Sequence, residues 1–155
     1  MAGTKFKVTA KNDSLNKAKA KLAEARKQMV DLSNPISKAA VFLDQWVQRN
    51  FKGEGAKVGG WAPFAPATLR WIELYDPERS PAKLLQKTSY LKTSFLPFTS
   101  KNQAGIGSDV PYSKTHNEGL GHVPERRMLP KYKEVIKDVN RIMRNHVKES
   151  LRAAR

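Results

Sequence analysis

The chain has 155 residues, 29 lysines and arginines against 14 aspartates and glutamates, a formal net charge of +15, and no cysteine. That length suits one domain, 1–155, with a core of its own, and the missing cysteines exclude a disulfide scaffold, a cysteine-ligated metal site and a thiol nucleophile. No apolar run approaches the roughly 20 residues that span a bilayer, and residues 1–11 are polar and basic with no apolar stretch of a secretory signal, so no membrane partner is expected and a cytoplasm-like compartment is.

Residues 1–12 read as a flexible basic arm or a short edge strand, with Phe6 and Val8 alternating with Lys5 and Lys7. A helix is predicted from Asp13 or Ser14, both good N-caps. Along it Leu15, Ala18, Leu22, Ala25, Met29 and Leu32 recur every three or four residues, one narrow apolar stripe with lysines on the other faces. Ser33-Asn34-Pro35 reads as a break and restart, Asn34 as N-cap and Pro35 at the first helical position. A second helix then runs to about Asn50, with Ile36, Ala39, Ala40, Leu43, Trp46 and Val47 on its apolar face and Phe51 near its end. The two are expected to form an antiparallel hairpin, one long kinked element being the alternative. Glycines between Gly53 and Gly60 mark a loop.

The middle is richer in proline and aromatics. Pro66 can open a short helix through Leu69, Ile72 and Leu74, and Leu84, Leu85 and Leu91 offer another helical turn. Residues 94–100 and 104–107 suggest a small antiparallel hairpin, with Pro97 confining its strand to an edge and Gly105 marking a close backbone approach. Tyr112 to Glu118 reads as a short helix closed by Gly119. A long basic helix is expected over 130–155, with Tyr132, Val135, Ile136, Val139, Ile142, Met143, Val147 and Leu151 on its apolar face. The fold class is therefore α+β: an N-terminal helical hairpin over 13–51, a small antiparallel sheet and a long C-terminal helix.

The charge is concentrated at the ends. Residues 1–30 carry eight basic and two acidic side chains, and residues 131–155 eight and three. Lys17, Lys21, Lys131, Lys137, Arg141 and Arg144 are the candidates to face DNA or an acidic partner, with lysine-rich, non-specific electrostatics favoured over base recognition. A solvated helix face is the plain alternative. The catalytic inventory is thin. His116, Glu118 and His122 fit no zinc-binding helix, and neither a nucleophile elbow nor a phosphate loop occurs. No metal, no cofactor and no enzymatic activity is expected. Trp61, Phe64, Leu69, Trp71 and Ile72 read either as core or as rigid interface anchors, with core favoured.

Three stretches, in order, resemble one family. Gly60-Trp61-Ala62-Pro63-Phe64-Ala65-Pro66-Ala67-Thr68-Leu69 looks like a Trp-x-Pro-Leu-x-Pro-x-Thr segment. Leu84 to Phe95 is similar to Leu-x-x-Thr-Gly-x-Leu-x-x-Ser, and Gly105 to Gly119 followed by Val123 to Leu129 resembles Gly-x-Tyr-Ala-x-x-His-x-x-Gly and Pro-x-Arg-x-Phe-Leu. The family is that of the virion morphogenesis or tail-completion proteins of tailed bacteriophages, the Mu-type group and its relatives. Ser89 replaces the usual Gly, Ser113 the usual Ala, Arg127 the usual Pro and Met128 the usual Phe. The first change bears on the turn's backbone, since Ser disfavours positive φ.

The resemblance implies a structural virion protein at the neck or head-proximal tail end. It would be a ring subunit, six copies or a multiple, touching head-connector and tail-tube proteins and the DNA in the lumen. On that reading Trp61, Pro63, Phe64, Pro66 and Thr68 shape a loop on the core or on a neighbour. Tyr112 and His116 anchor the Gly119 turn, and Pro124, Arg126 and Arg127 set the loop before the last helix, the arginines pairing with acidic groups across an interface. The alternatives are a free nucleic-acid-binding protein and, further off, a small basic glycan hydrolase.

Overall fold

The computed structural model describes residues 12–153. The arm or edge strand expected before Asn12 lies outside the described residues. Helix α1 (Asn12–Val30) gives way at Asp31-Leu32 to α2 (Ser33–Lys52). The restart differs in detail from the sequence reading. Leu32, not Asn34, holds the N-cap position, and just before it the Asp31 carboxylate accepts the Ser33 backbone N–H at 3.0 Å and the Ser33 hydroxyl at 2.6 Å. Pro35 sits within the first turn, where its missing N–H costs nothing, and is buried.

A 3₁₀ turn (Ala56–Val58) precedes α3 (Pro66–Tyr75), and a second (Pro77–Arg79) follows it. Next come a single turn of helix, α4 (Tyr90–Thr93), the strands β1 (Leu96–Ser100) and β2 (Gln103–Gly107), α5 (Pro111–Glu118) and the 22-residue α6 (Tyr132–Ala153). The strands pair antiparallel from Leu96 opposite Gly107 to Ser100 opposite Gln103, around a Lys101-Asn102 tip. A Cβ built at Gly105 would fall 2.2 Å from the tip of the Phe98 ring, so glycine is what lets that ring rest where it does across the hairpin.

Helix α2 is the organising element. It packs on both strands and on α6, and α6 also receives α1. The buried face of α2 (Ile36, Ala39, Ala40, Trp46, Val47, Asn50 and Phe51) keeps three-and-four spacing. Trp46, Val47 and Phe51 join Trp61, Leu84, Leu91, Phe95, Val110, Met128 and Val135 in one core. The aromatic cluster predicted between residues 61 and 72 splits. Trp61 and Ile72 are buried and Phe64 half-buried, whereas Leu69 and Trp71 are exposed.

The stripe on α1 is covered only at one end. Ala25 is buried, against the side of the helix that meets α6, where His146 Nε2 lies 2.9 Å from the Gln28 carbonyl. Leu15, Ala18 and Leu22 stand in solvent. Among the described residues no helix is long and apolar enough to cross a membrane.

Candidate functional site where three segments meet

The loop after α2 is built around Trp61. Gly55 adopts φ +87°, and a Cβ there would lie 2.3 Å from the indole, so this turn requires glycine for both backbone and space. The indole meets Phe51 edge-on at 5.2 Å between centroids, and its Nε1 donates to the Arg127 carbonyl at 2.8 Å. Asn50, fully buried, donates to the same carbonyl at 3.0 Å. One backbone oxygen thus accepts from α2 and from the loop after it, donors 77 and 66 residues earlier in the chain, and pins the 126–129 segment to the core.

Arg126 fixes the other side of that segment. It is 7% exposed; its Nε donates to the Ala62 carbonyl at 2.9 Å and an Nη donates to the Pro63 carbonyl at 3.1 Å. Its own N–H donates to the His116 carbonyl at 2.7 Å. Arg127 makes a bidentate pair with Glu134 at 2.7 and 2.8 Å. The expectation that Arg127 meets an acidic group across an interface is therefore corrected, while the Nε and one Nη of Arg126 serve loop carbonyls of its own chain. The acidic partner of Arg127 is Glu134, in the first turn of α6. The reason is spacing: Pro130 ends the loop close enough to α6 for Arg127 to reach back along it.

Glu134 also accepts the Lys131 backbone N–H at 2.9 Å, closing the first turn of α6 as a capping box does. These bonds, above all the Arg127 guanidinium, hold its carboxyl at about 2, well below the ordinary 4.5. A depressed carboxyl stabilises the fold fully above its unfolded value and loses that contribution as pH falls towards the folded one. Glu134→Gln is expected to lower stability by about 1 kcal/mol at neutral pH, the partly exposed setting keeping the figure small. In paired thermal melts, the difference from the parent chain should shrink below pH 4.5 and close near pH 2.

Phe64 lies between this clamp and the turn after α3. Arg79 Cζ sits 5.4 Å and Arg126 Cζ 5.8 Å from its ring centroid. With Leu85, Thr88, Leu91, Tyr112 and His116 they surround a cavity of about 240 Å³. Each of the three quoted segments contributes to this wall. Tyr112 and His116, a turn apart on α5, meet edge-on at 6.1 Å. Burial, then the nearby Arg126 charge, pushes the His116 imidazole below its usual value. Helix α5 closes as expected at Gly119, whose φ of +67° is left-handed and whose Cβ, if present, would lie 2.8 Å from the Glu125 nitrogen.

Of the other residues singled out, Pro63 and Pro66 are exposed, Pro66 as the first residue of α3, and Thr68 and Pro124 are exposed away from the cavity. Lys17, Lys131, Lys137 and Arg144 are also exposed, as is Lys21, while Arg141 pairs with Asp138 at 2.6 Å. Sequence reasoning passed over Asn50, Arg79 and Asn117. The Asn117 side-chain oxygen accepts the Met128 and Leu129 N–H groups at 2.9 and 3.1 Å. Asn50 alone carried a signal, a polar residue on the apolar face of α2. Ser89 takes φ +58° despite its side chain, and its carbonyl accepts the Thr93 N–H at 2.9 Å.

A family model described as the phage virion morphogenesis family matches residues 13–148, a span that contains all three segments and every element from α1 to most of α6. This chain belongs to that family. The protein is thus a component of phage particle assembly, associated with the virion. No curated protein and no solved structure matches it at a significant level. Within a morphogenesis protein, the motif junction serves as the frame that holds the loops around Trp61 and Arg126 in one shape. Among the described residues no group of three or more His, Asp or Glu side chains stands where it could hold a metal ion.

Proposed function

We propose that this family member is a ring subunit at the head–tail junction, a neck, terminator or completion protein that closes the tail and joins it to the head. In this reading the chain supplies contacts and no bond-making chemistry, and needs no cofactor. One observation carries it: large apolar side chains stand uncovered on three separate elements, with Leu22 on α1 68% exposed, Leu74 on α3 72% and Leu96 on β1 65%. A heterologous ring needs two different patches on each copy, one for each neighbour.

The charge fits a lumen. Lys133, Lys137, Arg141, Arg144 and Lys148 fall three or four apart on the exposed side of α6, one cationic stripe opposite its packed face. Six copies would gather on the order of ninety positive charges, so closure needs salt, DNA or an acidic neighbour to offset repulsion. Assembly should therefore be assisted by a partner and not by concentration alone.

The test is sedimentation of the full chain at raised salt, with and without purified tail tubes. The expected result is a ring-sized species when tubes are present. Leu15→Lys with Leu22→Lys should keep the melting temperature, exposed substitutions being worth about 0.5 kcal/mol or less, yet abolish the ring. A chain that stays monomeric in every condition refutes the reading. Tight, length-dependent binding to random DNA without assembly would favour a free nucleic-acid-binding protein instead.

A further inference from the structure

We propose that the cavity beside Phe64 is a socket for a single carboxylate, an aspartate or glutamate side chain presented by an acidic neighbouring polypeptide of the particle. The neighbour's place in a particle rests on the assembly role proposed above; the anion preference of the socket rests only on the cavity itself.

Two guanidiniums, Arg79 and Arg126, lie over one ring, and no acidic residue lines the space. Lys87, also on the wall, already has Asp76 at 3.0 Å. Among the described residues neither guanidinium has an acidic partner within ion-pair distance. Arg79 Nε and His116 Nδ1 are both shut off from solvent with no hydrogen-bond partner. A buried guanidinium N–H left unpaired, as at Arg79 Nε, is costly, and two cations around one small space raise that cost unless an anion compensates them.

The dimensions favour a carboxylate over a phosphate. About 240 Å³ takes one side chain, and the apolar wall of Phe64, Leu85 and Leu91 suits the methylene stem of a glutamate. A phosphodiester of duplex DNA cannot leave its backbone to enter such a recess. A second copy of this chain is a poor donor, because each copy already carries +15. Charge complementarity therefore points to an acidic partner of another kind.

The experiment titrates the full-length monomer with the α-methylamide of N-acetylglutamate, which carries only the side-chain carboxylate, at constant ionic strength and follows the His116 ring by NMR. A saturable shift is expected with a dissociation constant on the order of 10 mM, the scale of one charge-assisted contact. The methylamide of N-acetylglutamine, which carries no carboxylate, should leave the ring unmoved. Arg79→Gln should weaken binding about tenfold, and Arg79→Lys, which keeps the charge without the fork, by less. If Arg79→Gln does not fold, the lysine variant carries the comparison. Absence of a saturable shift, an equal response to the methylamide of N-acetylglutamine, or tighter binding of inorganic phosphate or a short DNA duplex would each overturn the proposal. Because the titration needs no ring, its failure and a failure to assemble are separate results.

Discussion

Trp61→Ala is expected to destabilise the protein by roughly 4 kcal/mol, the scale of emptying a packed indole site, and to lower the melting temperature by about 10 °C. Three losses coincide. The Phe51 ring, itself completely buried, loses its edge-on neighbour. The Arg127 carbonyl keeps Asn50 but loses the indole donor. The Gly55 turn, shaped to let the indole approach, closes on a void. Trp61→Phe separates the parts: it retains an aromatic ring in the core and forfeits the Nε1 bond, so about 1 kcal/mol is expected. Calorimetry on the two variants and the parent decides it. An alanine variant that melts within two or three degrees of the parent would mean the loop is held elsewhere.

The helices and the hairpin were legible because they obey short-range rules. Three-and-four spacing marked α2 and α6, Pro66 and Gly119 marked a start and a stop, and Pro97, Gly105 and the polar stretch between them marked β1 and β2. Burial was legible only where a stripe had a partner. Leu15 and Leu22 read like core residues, yet α6 meets only the far end of α1. Periodicity reports that a face is apolar; what covers it depends on which element arrives there, and in a subunit that element can belong to another chain. The same holds for Trp71, whose sequence neighbour Ile72 is buried while it is not.

The candidate site was half legible. Phe64, Tyr112, His116 and Arg126 were recognised from motif order, and all four reach one cavity. Arg79 was missed because its role depends on the 3₁₀ turn after α3 bringing it back over Phe64, a contact between residues with no shared periodicity. Asn117 was missed because its oxygen serves backbone groups eleven and twelve residues on. Side chains that satisfy distant main-chain groups leave no pattern of their own. At Gly105 a close approach was legible, but what approaches is the Phe98 ring across the hairpin and not a backbone.

Arg126→Glu is expected to disrupt the fold before it can disturb assembly. The guanidinium occupies a site built from the carbonyls of Ala62 and Pro63 under the Phe64 ring, and a carboxylate placed there would face acceptor oxygens with no donor to offer. Leaving those groups unmet and burying an uncompensated charge costs about 3–5 kcal/mol. Arg126→Ala should cost about 3 kcal/mol, since it removes the donors without adding a charge. Arg126→Lys keeps a charge but cannot bridge two carbonyls with one fork, so an intermediate loss follows. Thermal melts should rank the variants lysine, alanine, glutamate in falling stability. Protease cleavage in the 60–66 loop should rise in the same order, since that loop is what the clamp holds. If Arg126→Glu melts like the parent and only assembly fails, the guanidinium's true partner lies on another subunit and the clamp is incidental.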